Sequence, residues 1–274
     1  MLAKEYAAEL QLLHVVSAVS LEALRQWGPE PLDCPDRLVQ LLRHELEEIA
    51  AHTAGQHGVR SEARIVVGDV TDSIVSAGAS ADLVVLGAHG MNPLKDALLG
   101  TTAERMVSRT ARPVLIVRTP PHEAYRNVLV PVDLLPGAQE ALGAALRFAG
   151  EAMITALHAY DVPFEGLLQR AGVSDAAIDG HRARAYDKAV ETIGELSASV
   201  SGDPLRFLAF VERGDAGARI VERQRTSRAD LVVLLKRTRS VGESLLLGSV
   251  TRHVLADVAS DVLLLKEAKP GPSA

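Results

Sequence analysis

Gly87-Ala88-His89-Gly90, a gap of nine residues, and then Gly100-Thr101-Thr102 form the stretch whose residue types and spacing best suit chemistry. Glycines at 87 and 90 let the backbone turn tightly and let a bulky anion come close to it. Gly100 sits where a helix should begin, and the first N–H groups of a helix attract phosphate through their free donors and the helix dipole. Thr101 and Thr102 add hydroxyl donors. The stretch follows a buried apolar run, Leu83–Leu86, and leads into a helix predicted over about Leu98–Arg109. That places it at the carboxyl end of a strand, where open α/β sheets hold ligands. The pattern is neither a Walker A loop nor a G-x-G-x-x-G fingerprint. By spacing alone, glycines that merely shape a strand-to-helix turn are an equally good reading.

Other constellations are weaker. His44-Glu45-Leu46-Glu47-Glu48 starts like a zincin helix but has Glu48 where the second histidine must stand. His52 and His57 are five apart on a helix predicted over Asp36–Ala54 and share no face, so they read as surface residues. No G-x-S-x-G elbow is present. His14 and His158 end strand-like runs and read as structural, while Arg105, Arg109 and Arg112 read as solvated. Catalytic and metal-ligating residues are therefore assigned to none.

The elements that must position the glycine loop are written twice. Asp82–Val117 aligns without a gap on Asp230–Leu265 at an offset of 148, with Asp82-Leu83-Val84-Val85-Leu86 repeated as Asp230-Leu231-Val232-Val233-Leu234. Leu98-Leu99-Gly100 recurs as Leu246-Leu247-Gly248, Gly68-Asp69 as Gly214-Asp215, and Leu13-His14 as Leu157-His158. In the second unit, strand-like Asn127–Val132, helix-like Gly137–Ala149, strand Thr155–Tyr160 and helix His181–Ser199 come first. Arg206–Val211, Ala216–Arg225, Asp230–Leu235, Ser244–Ala256 and Val262–Leu265 continue the alternation. Such alternation predicts βαβ units, right-handed crossovers and parallel sheets. The units divide near Thr119-Pro120-Pro121-His122-Glu123, giving domains at 1–118 and 124–268, and the Pro/Gly tail from Lys269 is expected to be disordered.

The alignment sets Met1 opposite Ala145, so the first unit has no counterpart of Asn127–Val132 and most of the following helix. Three solutions are open to the resulting gap: a natural start upstream of Met1, which is favoured; closure of the flanking strands on each other; or a strand supplied from elsewhere, such as another copy.

Composition bounds the rest. Of 274 residues, 47% are hydrophobic and 23% charged, which excludes extensive disorder. Aromatics are only 3%, so Leu, Val, Ala and Ile must build the core. No apolar run approaches the roughly 18–20 residues of a membrane span, and no signal peptide is read at the N-terminus. Cys34 is the sole cysteine, so no intrachain disulfide forms and a cytoplasmic location is expected. A net charge of −6 and a pI near 5.9 argue against a nucleic-acid binder.

The glycine stretch after an Asp-Leu-Val-Val-Leu-Gly strand resembles the universal stress protein family, and the resemblance covers nearly the whole chain in two copies. Val130-Pro131-Val132-Asp133 is similar to that family's first strand with its terminal aspartate, Leu12–Val16 to its second strand, and Gly214-Asp215-Ala216 to the turn before its third helix. The resemblance implies two tandem Rossmann-like, adenine nucleotide alpha hydrolase-like domains with parallel sheets of strand order 3-2-1-4-5. The first would lack its central strand.

It also implies ATP binding with Mg²⁺ in the first unit, at Leu86, Gly87, His89, Gly90, Gly100, Thr101 and Thr102, with Val15 against adenine. The second unit matches the nucleoside side at Pro131, Val132 and Asp133 and the end of the phosphate motif at Gly248 and Ser249. It has Leu235 and Thr238 in place of the first two glycines, where side chains crowd a triphosphate; Lys236, Arg237 and Arg239 read there as a solvated basic loop. The expected function is adenine-nucleotide sensing in the stress response, with at most slow ATP hydrolysis. The two units would form an intramolecular pseudo-dimer, homodimerisation stays open, and the downstream protein partner is unidentified. The alternative is a stress-signalling interaction module that binds no nucleotide.

Overall fold

The structure is a computed structural model that describes residues 2–27, 34–88, 100–120, 123–135, 137–161, 165–201, 203–236 and 247–267. The first unit runs α1 (Leu2–Glu5), β1 (Leu10–Ser17), α2 (Ala18–Trp27), α3 (Cys34–His57), β2 (Ser61–Gly68), α4 (Val70–Gly78), β3 (Val84–Gly87), α5 (Thr101–Arg109) and β4 (Val114–Val117). The second runs β5 (Asn127–Pro131), α6 (Ala138–Phe148), β6 (Met153–Tyr160), α7 (Glu165–Arg170), α8 (Asp175–Val200), β7 (Phe207–Arg213), α9 (Ala216–Ser227), β8 (Leu231–Lys236), α10 (Ser249–Asp257) and β9 (Asp261–Lys266).

In the second unit the order is β7-β6-β5-β8-β9, all parallel, which is the expected 3-2-1-4-5. Its strands are near-continuous aliphatic runs because helices cover both faces. Leu129, Val232, Val262 and Leu264 pack on one face with Ile220 of α9 and Leu255 of α10. Val128, Val130, Val233 and Leu263 pack on the other with Ala141, Leu142 and Ala145 of α6. The duplicated turn residue Asp215 N-caps α9 by accepting from Ala218 N–H at 2.9 Å, and Asp69 does the same for α4 from Asp72 N–H at 2.9 Å. A carboxylate there satisfies an orphan donor of the first turn.

The sheet does not stop at the unit boundary. β9 pairs antiparallel with β4, Leu263 opposite Leu115, and β4 pairs parallel with β3. The seven-stranded order is therefore β3-β4-β9-β8-β5-β6-β7. Asp261, only 5% exposed, fastens the joint. It accepts from the backbone N–H of Arg118 at 2.8 Å and from the hydroxyl of Tyr125 at 2.8 Å. Burial and this bond push the Tyr125 phenol well above its ordinary range.

The first unit departs from a continuous sheet. β1 and β2 form a separate two-stranded parallel pair. Among the described residues no strand lies between β1 and β3, and these two do not close on each other. Closure of the flanking strands on each other is therefore not what the structure shows: among the described residues β1 pairs only with β2, and β3 only with β4.

Helix limits differ from the pattern-based ones at the ends. The long helix spans Cys34–His57 rather than Asp36–Ala54, and the second unit's is Asp175–Val200, capped by Ser174 through Ala177 N–H at 3.3 Å. The helix after the first glycine loop begins at Thr101 instead of Leu98. In the second unit it begins at Ser249 instead of Ser244. In both, glycine occupies the N-cap with extended backbone.

Candidate nucleotide site

A doubly wound sheet holds ligands where neighbouring strands send their connections to opposite sides. In the second unit that point lies between β5 and β8; in the first it lies beside β3. Gly87 closes β3. The next residue, Ala88, is buried and donates its N–H to Val117 of β4 at 2.9 Å, while its carbonyl accepts from Gly100 N–H at 3.0 Å. The loop therefore leaves and returns at one clamped point. Gly100 caps α5 with no side-chain hydrogen bond, so a first turn carrying Thr102 meets the carboxyl end of β3 with a helix N-terminus suited to an anion. His89 and Gly90, the other glycine-loop residues singled out in the sequence, lie outside the described residues.

Val15 stands in β1, in register with Val66. It is thus on the two-stranded pair, not on the sheet that carries Leu86 and Gly87. The expected nucleoside and phosphate sides of the first unit are not joined by strand pairing among the described residues.

In the second unit Pro131 ends β5, and Val132 donates its N–H to the Leu157 carbonyl at 2.8 Å. The Val132 carbonyl meets His158 Nδ1 at 2.8 Å, which gives that histidine a structural role. Asp133 is exposed, and its Oδ1 accepts from Leu135 N–H at 3.3 Å. Gly248 caps α10, again without a side-chain bond, and Ser249 opens the helix. Leu235 replaces Gly87 here and leans over the β5–α6 turn, where a Cβ added at Gly137 would stand 2.9 Å from Leu235 Cδ2. An aliphatic side chain thus stands at the turn in place of the glycine of the first unit.

One assignment of a solvated cation is corrected. Lys236 is 5% exposed, and its Nζ reaches the Ser108 carbonyl of α5 at 3.4 Å. Burial, with Lys266 nearby, lowers its basicity. It belongs to the joint between units, while Arg237, Thr238 and Arg239 lie outside the described residues. Arg109 and Arg112 are exposed, as expected, and make surface contacts with α4 and its end: Arg109 pairs with Asp72 at 2.6 Å, and Arg112 donates to the Ala79 carbonyl at 2.7 Å. Sequence inspection missed Asp261 and Tyr125, whose roles rest on contacts more than 130 residues apart along the chain. Among the described residues, no group of three or more His, Cys, Asp or Glu is gathered around a common point.

The fold is that of a tandem α/β protein whose second unit is doubly wound, and in the first a glycine-capped helix N-terminus meets the end of a strand. The chain belongs to the Universal stress protein family, whose family model matches residues 1–118 and again 124–266. A universal stress protein of Mycolicibacterium smegmatis is 23% identical over 275 residues, covering 94% of this chain and 87% of that one. One from Methanocaldococcus jannaschii is 31% identical over 130 residues, 44% of this chain and 72% of that one. Among solved structures, a universal stress protein from Archaeoglobus fulgidus has a TM-score of 0.64 at 17% identity, covering 94% of this chain and 87% of its own. A Pseudomonas aeruginosa protein of unknown function has a TM-score of 0.63 at 19% identity, with coverage of 96% and 84%.

Proposed function

We propose that the chain is a stress-response protein that binds and senses adenine nucleotide, ATP with Mg²⁺, through its first unit. The observation that carries this reading is the clamp of Ala88 on Gly100, which aims the N-terminus of α5 at the end of β3. Gly87 would allow the phosphates to approach the backbone, and Gly100, Thr101 and Thr102 would supply donors. No residue of the site is assigned as a general base, so the protein reports nucleotide rather than consuming it, with slow hydrolysis as an upper limit. The second unit, with Leu235 over its crevice, serves as the packing partner of the first. No described helix is long and apolar enough to cross a membrane, and a cytoplasmic location suits a nucleotide sensor.

The test is calorimetry of Mg-ATP against the whole chain and against Gly87→Leu, which copies the second unit. Binding at one site per chain that Gly87→Leu abolishes supports the reading; no binding overturns it. One observation favours the second reading, a stress-signalling interaction module without nucleotide: Val15 and Gly87 lie on sheets that are not paired. Under that reading neither protein takes up Mg-ATP.

A further inference from the structure

Glu165 opens α7 and holds that helix to the rest of the second unit. Its side chain is 15% exposed, and Oε1 is engaged by Arg182 of α8. Oε2 accepts from Arg213, the last residue of β7, at 2.7 Å. Arg182 is tied in turn to Asp179 at 2.6 Å. The rest of α7 offers little to dock it. None of its six residues is buried, and Gly166 through Arg170 are all exposed, Leu167 and Leu168 among them. A further side-chain bond, from Gln169 Nε2 to Asp175, is long at 3.4 Å. So short a helix has no stability of its own in water, and what docks it decides whether it forms.

The first unit anchors the corresponding segment by other means. The offset that sets Leu13-His14 on Leu157-His158 also sets Leu21 of α2 on Glu165. Leu21 is 5% exposed, an apolar anchor whose hold comes from excluding water. In the second unit a carboxylate stands there instead, gripped by guanidinium groups from two other elements. That attraction is one between charges, and salt screens it where water reaches the pair. The chain also has a point on which to pivot. Gly172 follows α7 with φ of +83° and nothing within 4 Å of an added Cβ, and Ser174 then caps α8.

We propose that α7 is a flap latched onto the second unit by Glu165, closed at low ionic strength and released when the attraction of Arg182 and Arg213 for that carboxylate is screened. The flap follows the carboxyl end of β6 and is fastened to the carboxyl end of β7. Open α/β sheets hold ligands at that end of their strands. Release therefore uncovers this part of the second unit and bares two guanidinium groups beside it. The inference concerns a conformational device of the second unit and does not rest on nucleotide binding by the first.

The test is amide hydrogen exchange on the whole chain, unaltered and as Glu165→Gln, in about 0.01 M and about 1 M NaCl, where the screening length falls from roughly 30 to roughly 3 Å. The reporters are Ala171, Gly172 and Val173, whose N–H groups donate back to Leu167, Gln169 and Leu168 and are protected only while α7 is formed. At low salt Glu165→Gln should speed their exchange at least about tenfold. High salt should speed it comparably in the unaltered chain and add nothing in the variant. Ile154–Leu157 in the buried centre of β6 should exchange equally slowly throughout, which shows that the variant is folded. Three outcomes overturn the proposal. These are equal exchange of the reporters in the two proteins, exchange in the unaltered chain that salt does not change, or loosening of β6 together with α7, which would make Glu165 a support of the whole unit.

Discussion

Leu235 lies directly over Gly137, so that a methyl group at position 137 would meet its Cδ2 at 2.9 Å. Gly137 also has φ of +100°, a conformation that costs any L-residue with a side chain. One aliphatic residue thus crowds the β5–α6 turn, whose backbone favours glycine.

Gly137→Ala should therefore destabilise the protein by about 1–3 kcal/mol, from backbone strain together with displacement of Leu235. Denaturant unfolding measures it. A loss below a few tenths of a kcal/mol would show that the turn relaxes freely.

Gly100 caps α5 without a side chain. Gly100→Asp should hold or slightly raise stability, since aspartate is a better N-cap than glycine by a few tenths of a kcal/mol. The same carboxylate would repel phosphate at the helix N-terminus and weaken Mg-ATP binding by about tenfold or more. Equal affinity in both proteins would remove α5 from the binding site.

Tyr125 gives stability a pH dependence of known sign. Burial, then the bond to Asp261, raises its folded-state pKa above the unfolded value of about 10. The folded protein keeps a proton that the unfolded chain releases. Its contribution is complete below pH 10 and is lost as pH rises beyond that toward the folded value. Tyr125→Phe should flatten this alkaline decline while costing about 1–2 kcal/mol at neutral pH through the lost bond to a buried carboxylate. Unfolding midpoints across pH 8–11 would check both parts.

Asp230 and Asp82 occupy equivalent positions but carry different loads. Asp230→Ala removes two backbone bonds at the start of β5 and should cost about 1–2 kcal/mol. Asp82→Ala, at an exposed position, should change unfolding by less than about 0.5 kcal/mol. Equal losses in the two variants would mean that Asp82 already has a strand to hold.

Much of the fold was legible in the sequence because its signals are local. Aliphatic runs such as Leu231–Leu234, helical faces such as Ala141, Leu142 and Ala145, and capping residues such as Asp69 and Asp215 each act within a few neighbours. The strand order of the second unit was implied by the resemblance to the universal stress protein family. The glycine spacing around Gly87 and Gly100 pointed to the crevice for the same reason: turns and helix starts are set by the residues that form them.

Tertiary structure decided what depends on distant partners. The antiparallel meeting of β4 with β9, the fastening of Arg118 and Tyr125 by Asp261, and the burial of Lys236 between units leave no periodic trace. Each is a contact between residues far apart in the chain, and its energy comes from desolvation that only the packed surfaces impose. The sequence alone pointed to a duplicated α/β unit of the Universal stress protein family, with the glycine spacing kept in only one of its two copies. Only packing decided that Leu235 lies against the Gly137 turn, that β1–β2 is not paired with β3, and that Val85 is left open where Val233 is covered.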